Sequence, residues 1–373
     1  KTGLARWNAA EGRTDSGVTN AHLALCFTSR AALSGGCVDA LKTAYPDAII
    51  ASCSTGGEIV GRDVLDDAAS AALIRFDHSN VTSTQTSVET VDDSFMAGLR
   101  LGKDLTREDL RCVIVLSDGL HVNGARLVEG LRAALPDDVV IAGGLAGDGA
   151  AFQETFVGLN VAPTSKQLVA IGLHGARLNV SASSMGGWDV FGPERRITRA
   201  EGSVLYELDG QPALALYKKY LGEEAAHLPA SALNFPLSIR RDQGDEEPLT
   251  RTIVGVNEDD QSLIFAGEMP QGWTAQLMRG VCDRIVTGAA GAARAVQIDE
   301  VNGDESLGLL ISCIGRKLML GQRVQEEVEA VCDEWPGTPV VGFYSYGEIG
   351  PHGATGRCTL HNQTMTALLL SES

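Results

Sequence analysis

At three places an acidic residue directly follows a glycine just beyond an apolar run: Gly57-Glu58, Gly147-Asp148 and Gly347-Glu348. Glycine lets the backbone come close to a ligand, and a neighbouring carboxylate can hold an amine or a hydroxyl. Around these pairs stand Cys53-Ser54-Thr55, Leu145-Ala146 and Tyr344-Ser345-Tyr346. The candidate ligand-binding residues are therefore Cys53, Ser54, Thr55, Gly57, Glu58, Tyr344, Ser345, Gly347 and Glu348. The plainer reading is that the glycines serve tight turns while the acids are solvated or cap backbone groups.

Covalent chemistry finds less support. Ser52-Cys-Ser54-Thr-Gly56 resembles a nucleophile elbow, but it lacks the leading glycine and the helix that should follow. Gly143-Gly-Leu-Ala-Gly147-Asp-Gly149 is glycine-rich without dinucleotide-loop spacing, and no phosphate loop ending in Gly-Lys-Ser/Thr occurs. Cys53 would be nucleophilic only with a lowered pKa, and no base stands beside it in the sequence. His352, Cys358 and His361 lie within ten residues but lack a fourth metal ligand at standard spacing. His174 ends the apolar run Leu168–Leu173 and is expected near Met185 and Trp188. A histidine so placed either hydrogen-bonds within the fold, the commoner outcome, or ligates haem iron. No catalytic residue is assigned.

The elements that must position these residues repeat. Leu23–Phe27 and Val113–Leu116 are apolar strand-like runs starting ninety residues apart, and Pro46 and Pro136 keep that spacing. A third copy has Leu309–Ser312 and Pro336, and in every copy the glycine of the Gly-acidic pair stands eleven residues past the proline. Between run and proline, apolar residues recur three or four apart: Cys37, Leu41, Ala44 and Tyr45; Leu127, Val128, Leu131 and Leu135; Val324, Val328, Val331 and Trp335. Each copy reads as strand, helix, strand, Gly-acidic turn and a further strand (71–76, 168–173, 365–370). One helix between two strands implies parallel pairing and a right-handed crossover. The fold class is α/β, built from duplicated strand-helix-strand units in two intimately associated halves, 1–190 and 191–373. Residues 80–110 read as a connector, polar and then helical, and 179–195 as a turn-rich boundary. Residues 204–221 read as helix, 250–267 as a hairpin and 282–296 as an alanine-rich helix.

Composition narrows the function. An apolar share of 44% excludes a mostly disordered chain. No apolar run approaches the roughly 18 residues needed to cross a bilayer, and the first twenty residues hold no apolar leader. Thirty Lys and Arg against 48 Asp and Glu give a net charge of −18, which disfavours nucleic acid and anionic membranes. The eight cysteines are dispersed without a Cys-x-x-Cys pair, as expected of reduced, buried thiols in a cytoplasmic protein.

Several of these motifs, in order, resemble one known family. Ser52-Cys-Ser-Thr-Gly-Gly-Glu-Ile59 is similar to the signature of the N-terminal half of FIST-domain proteins. Gly187–Pro193, Val204–Ala213 and Tyr217–Gly222 resemble its linking region, and Gly342–Pro351 with Leu360–Thr366 its closing motifs. The resemblance spans nearly the whole chain and implies an intracellular sensor of bacterial signal transduction, not an enzyme. It implies a small ligand such as an amino acid, whose amine Glu58 and Glu348 could hold and whose carboxylate Ser54, Thr55 or Arg357 could meet. One subset is similar to haem-binding nitric-oxide sensors. For that subset the cofactor is haem b, with His174 the first candidate ligand and His361 the second. The implied partner is a separate histidine kinase or cyclic-di-GMP enzyme. Two other readings stand beside the sensor: a hydrolase or transferase using Cys53 or Ser54, and a ligand-free interaction scaffold.

Overall fold

Strands rich in Val, Ile and Leu along their whole length need cover on both faces. In the computed structural model, which describes residues 1–8, 12–13, 17–241, 248–296, 305–352 and 356–373, three copies meet that need by one plan. In the first copy, a first strand (Leu23–Thr28) pairs in parallel with a second strand (Ile49–Ser54), and the helix Cys37–Ala44 lies between them in the chain. A return strand (Ala69–Ile74) runs antiparallel along the other side of the first strand, with a lead strand (Thr2–Asn8) outside it. The second copy repeats this with Leu110–Ser117, helix Gly124–Ala134, Val140–Leu145, return strand Gln167–His174 and lead strand Asn80–Ser87. The third uses Ser306–Cys313, helix Val324–Glu334, Val340–Ser345, return strand Met365–Glu372 and lead strand Leu178–Met185. The duplicated α/β architecture expected from the spacing is present.

The segment beyond each second strand interlocks the copies. After the Gly-acidic turn the chain forms a short arm that pairs antiparallel with the second strand of another copy. The first copy's arm (Glu58–Val60) joins Val340–Ser345, the second's (Val157–Leu159) joins Ile49–Ser54, and the third's (Gly347–His352) joins Val140–Leu145. The exchange is cyclic, so in each copy five strands run in the order lent arm, second, first, return, lead, and the short strands Gly12–Arg13, Asp63–Leu65 and Arg357–His361 pair outside these sets. The sheets of copies two and three also touch through Ser184 and His352.

One face of all three sheets points inward. Leu25 and Phe27, Ile114 and Leu116, Leu309 and Ile311 are buried together, with Phe27 and Phe343 stacked at 4.8 Å between ring centroids. Each such side chain contributes about 1.5–3 kcal/mol on full burial. The alternate positions, Ala24 and Cys26 in the first copy, pack outward under the helix beside Val38 and Leu41. Both faces are thus covered, as the unbroken apolar runs require.

Between the lead strand and first strand of the third copy, the strands within 189–241 and 248–279 form a separate rolled sheet. Its long strand Asp189–Glu201 pairs with Thr274–Arg279 through its first part and with Val204–Leu208 through its last, bending at irregularities between them. Its two edge strands, Leu249–Arg251 and Ile253–Asn257, are consecutive in the chain, so the roll turns a second corner at Thr252. Helix Ala213–Leu221 fills the interior with Leu214, Tyr217 and Leu221.

Three local expectations are corrected here. Residues 204–208 are a strand rather than the start of a helix, which begins at Ala213. Asp209 and Gly210 both have positive φ, 50° and 72°, and close a tight hairpin there. Residues 179–195 are not a turn-rich boundary but two strands; Leu178, Val180 and Ala182 alternate onto the central core. Residues 80–110 are more than a connector, since the Thr-rich Asn80–Ser87 is a full lead strand before helix Ser94–Leu105. The expected hairpin and alanine-rich helix are present as Ile253–Asn257 with Ser262–Phe265, and as Cys282–Ala295.

Candidate functional site

The Gly-acidic turns lie at the carboxyl ends of the second strands, and the arm exchange draws all three together. Gly56 N–H donates to the Tyr344 carbonyl at 2.7 Å, Gly147 N–H to Ser54 at 3.0 Å, and Tyr346 N–H to Leu145 at 3.1 Å. These bonds run head to tail through copies one, three and two. A Cβ at Gly147 would stand 3.0 Å from Gly56 N and 3.2 Å from the Tyr346 ring, so glycine permits this closeness.

The acid of each turn has its own surroundings. Glu58 is fully buried; Thr55 Oγ1 donates to one of its oxygens at 2.5 Å and Ala68 N–H to the other at 3.4 Å. Burial pushes its pKa up to about 8, against the opposing pull of those bonds and of Lys317. Lys317 donates to the Gly56 carbonyl at 2.8 Å and pairs with exposed Asp66. A Cβ on Gly57, whose φ is +146°, would stand 2.3 Å from Lys317 Nζ. Ser54 Oγ accepts from Phe156 N–H at 2.9 Å, and Cys53 is buried with its thiol pushed up by burial and by Glu58.

Glu348 accepts from Ser345 Oγ at 2.7 Å, and from Thr364 N–H at 3.1 Å and Oγ1 at 3.0 Å. Burial pushes it to about 8 as well, while these bonds and Arg316 pull it down. Beside it Arg316 and Glu327 form an ion pair at 2.7 Å with neither side chain exposed. Glu327 also accepts from Ser312 at 3.0 Å and from Tyr344 at 2.8 Å, so the Tyr344 hydroxyl serves Glu327 rather than either turn acid. Asp148 differs again. Burial raises it, but the Tyr346 hydroxyl and the N–H groups of residues 152 to 154 outweigh that and hold it below the ordinary range.

Sequence reasoning missed Arg316, Lys317 and Glu327. A signal existed for one: Glu327 falls on the buried helix face beside Val324, Val328 and Val331. Ser312 and Tyr344 lie on neighbouring strands and Arg316 on another helix, so their union depends on tertiary packing.

The rolled sheet rests on the third copy through a polar joint. Arg251, 5% exposed, donates to the carbonyls of Glu268 at 3.2 Å, Thr250 at 3.1 Å and Leu360 at 3.4 Å. Among the described residues it has no carboxylate ion pair, and burial lowers its pKa to about 10, partly offset by Glu268. Gln363 Nε2 donates to the Leu233 carbonyl at 3.1 Å, and the second copy joins in through Asn123 Nδ2, which donates to Glu268 at 3.2 Å. Next to Gln363, Asn362 is buried, and neither of its side-chain polar atoms has a hydrogen-bond partner among the described residues.

The two candidate haem ligands sit apart from the ring of turns. His174 is buried; its Nε2 lies 2.7 Å from Thr82 Oγ1 and its Nδ1 3.2 Å from Asp109. Both ring nitrogens are engaged, and one bond must break before either could meet an iron. Trp188, expected close by, instead packs with Met278, Ile285 and Leu320 and donates to the Gln363 carbonyl at 2.8 Å. His361 Nε2 stands 3.0 Å from the Gly350 carbonyl, and burial, then His352, lower its pKa to about 3. Ligation of an iron through the bonded nitrogen of either imidazole would require that bond to break. Among the described residues no group of three or more His, Cys, Asp or Glu side chains could hold a metal ion, and no helix is long and apolar enough to cross a membrane.

Comparison with known proteins supplies the relatives. Residues 22–211 match the FIST N domain and residues 213–351 the FIST C domain. The chain is 26% identical over 340 residues to Uncharacterized protein Rv0628c of Mycobacterium tuberculosis (strain ATCC 25618 / H37Rv), covering 88% of this chain and 85% of that protein. It is 23% identical over 342 residues to Uncharacterized protein Mb0898c of Mycobacterium bovis, covering 88% and 84%.

Proposed function

We propose, from the premise that this chain belongs to the FIST family, whose domains are associated with sensing in signal transduction, that it is a cytoplasmic sensor of a small polar molecule such as an amino acid. Its output passes to a separate histidine kinase or cyclic-di-GMP enzyme, through a surface that changes when the ligand binds. The observation that carries the reading is the joint between the rolled sheet and the third copy. Arg251 reaches it as a buried cation without a carboxylate partner among the described residues, bonding the Leu360 carbonyl, and, two residues on, Asn362 is buried with no hydrogen-bond partner for its amide among the described residues. A ligand carboxylate pairing with Arg251 would shift the sheet against the body, and binding one arrangement better than the other is enough to move the equilibrium.

The protein acts by binding rather than by catalysis. Support comes from Cys53, enclosed with its thiol pushed well up, and from Ser54, whose oxygen accepts a backbone N–H. The test is a thermal shift with the twenty amino acids, followed by titration calorimetry on wild type and Arg251→Met. A stabilising amino acid whose affinity falls at least tenfold in Arg251→Met, with unchanged circular dichroism, supports the reading. A nitric-oxide-sensitive Soret band that vanishes in His174→Ala or His361→Ala would replace it with the haem version. Neither a shift nor a band sinks the small-ligand sensor and leaves the scaffold.

A further inference from the structure

The first copy holds a pair of thiols that no part of the sensor reading uses. Cys26 points outward from the first strand, and Cys37 is the first residue of helix Cys37–Ala44. The two thiols belong to one buried cluster, and Thr28 Oγ1 stands 3.3 Å from Cys37 Sγ. Both line a shallow surface cleft with Ala40, Leu41, Ala69 and Ser70. Ser70 is 1% exposed, and its hydroxyl oxygen has no hydrogen-bond partner among the described residues. The helix start has glycine at its cap and no side chain capping its first N–H groups, and those of Cys37 and Val38 act on the Cys37 sulfur.

We propose that Cys26 and Cys37 are a peroxide-reactive dithiol that closes to a reversible disulfide, with Ser70 hydrogen-bonding the oxygen atom in the cleft. The Cys37 thiolate attacks one oxygen of a hydroperoxide; the O–O bond breaks, the leaving hydroxide or alkoxide takes a proton, and Cys37 becomes a sulfenic acid. Cys26 then attacks the Cys37 sulfur. The S–S bond forms, the S–O bond breaks, and hydroxide leaves as water with the Cys26 proton. Two thiols lose two electrons and the peroxide gains them.

The division of labour follows from the surroundings. Cys37 is lowered to about 7, chiefly by the hydrogen bond from Cys26 and further by Thr28 and the helix N–H groups, against burial. Cys26 is raised by the same hydrogen bond and by burial, so it keeps the proton that the second step releases. The other thiols lack this setting. Cys112 and Cys313 are enclosed and raised mainly by burial, while Cys332, partly exposed, is raised to about 11.

The experiment treats the full chain with a small excess of hydrogen peroxide, blocks remaining thiols and maps the tryptic peptides. Cleavage after Arg30 separates Cys26 from Cys37, so a bridge appears as two joined peptides. The expected result is that this bridge forms before Cys282 or Cys332 is oxidised, and that dithiothreitol reverses it. In Cys26→Ser the sulfenic acid on Cys37 should persist, with dimedone labelling about tenfold above wild type. Cys37 still reduced when Cys282 and Cys332 are oxidised, or driven to sulfinic acid without a bridge in wild type, overturns the proposal. Should Cys26→Ser fail to fold, the wild-type map alone decides.

Discussion

The turns of the first and third copies begin from one pattern, a hydroxyl residue followed three positions later by glutamate, and end in different places. Thr55 serves Glu58 and Ser345 serves Glu348, and burial pushes both acids to about 8. Beside Glu58 the charge is Lys317, whose partner Asp66 is 74% exposed. Beside Glu348 it is Arg316, already neutralised by the enclosed Glu327. Identical buried chemistry is thus linked to solvent through Lys317 and Asp66 in one copy and sealed by an enclosed ion pair in the other. The motif fixes the hydrogen bond, while the packing around it decides whether solvent and ions have a say.

The largest test of this contrast removes the sealed pair's anion. Glu327→Ala leaves Arg316 buried and uncompensated, and should cost about 3–5 kcal/mol in chemical denaturation. Lys317→Ala, whose partner Asp66 is exposed, should cost less than that. A cost in Glu327→Ala no greater than that of Lys317→Ala would erase the difference between the regions.

Next in size is Gly57→Ala. The new Cβ would collide with Lys317 in a backbone conformation that disfavours side chains, at about 1–3 kcal/mol. The double variant Gly57→Ala with Lys317→Ala should recover the part due to collision and not the part due to backbone, as thermal denaturation can read.

The pH response follows from the raised acids. A folded-state pKa near 8 above an unfolded value near 4.5 means the folded chain holds more protons between those limits. The stability these carboxyls give is therefore complete below about 4.5 and is lost as pH rises through about 8. Wild type should be more stable at pH 5 than at pH 8, and Glu348→Gln, which carries no proton to lose, should show a flatter dependence. Glu58→Gln should flatten it too, with a salt dependence that Glu348→Gln lacks. An unchanged urea midpoint ratio in both variants would deny the buried carboxyls this role. Asp148→Asn tests the opposite sign: its lowered carboxylate stabilises the fold above the unfolded value and is lost as pH falls through the folded one, so the variant should lose stability at pH 7 and progressively less of it in acid below about 3.8.

Legibility tracks the range of the interactions. First strands, crossover helices and Gly-acidic turns are written in runs of five to twelve residues, and the spacing from each proline to its glycine exposes the repeat. The arms are not readable, because a three-residue segment such as Glu58–Val60 carries no mark of the strand it will join. Residues 204–221 mislead because both helix and strand templates fit a short apolar series, although Asp209-Gly210 holds the deciding turn signal. At the site, Glu58 and Glu348 stand out as acids after apolar runs. The Arg316–Glu327 pair does not, since its members meet only when two helices pack.

Each copy lending its arm to a neighbour, in a cycle that closes after three, is the geometry of a ring of identical subunits with heterologous contacts. Here the three members are tethered on one chain, and the tether removes a constraint that true symmetry would impose. In a homotrimer a substitution appears three times at the axis; in this chain it appears once. Glutamate with a solvent-linked lysine, aspartate cradled by backbone and a tyrosine, and glutamate beside a sealed ion pair can therefore coexist around one centre. The rolled sheet, too, needs to be accommodated at one position only.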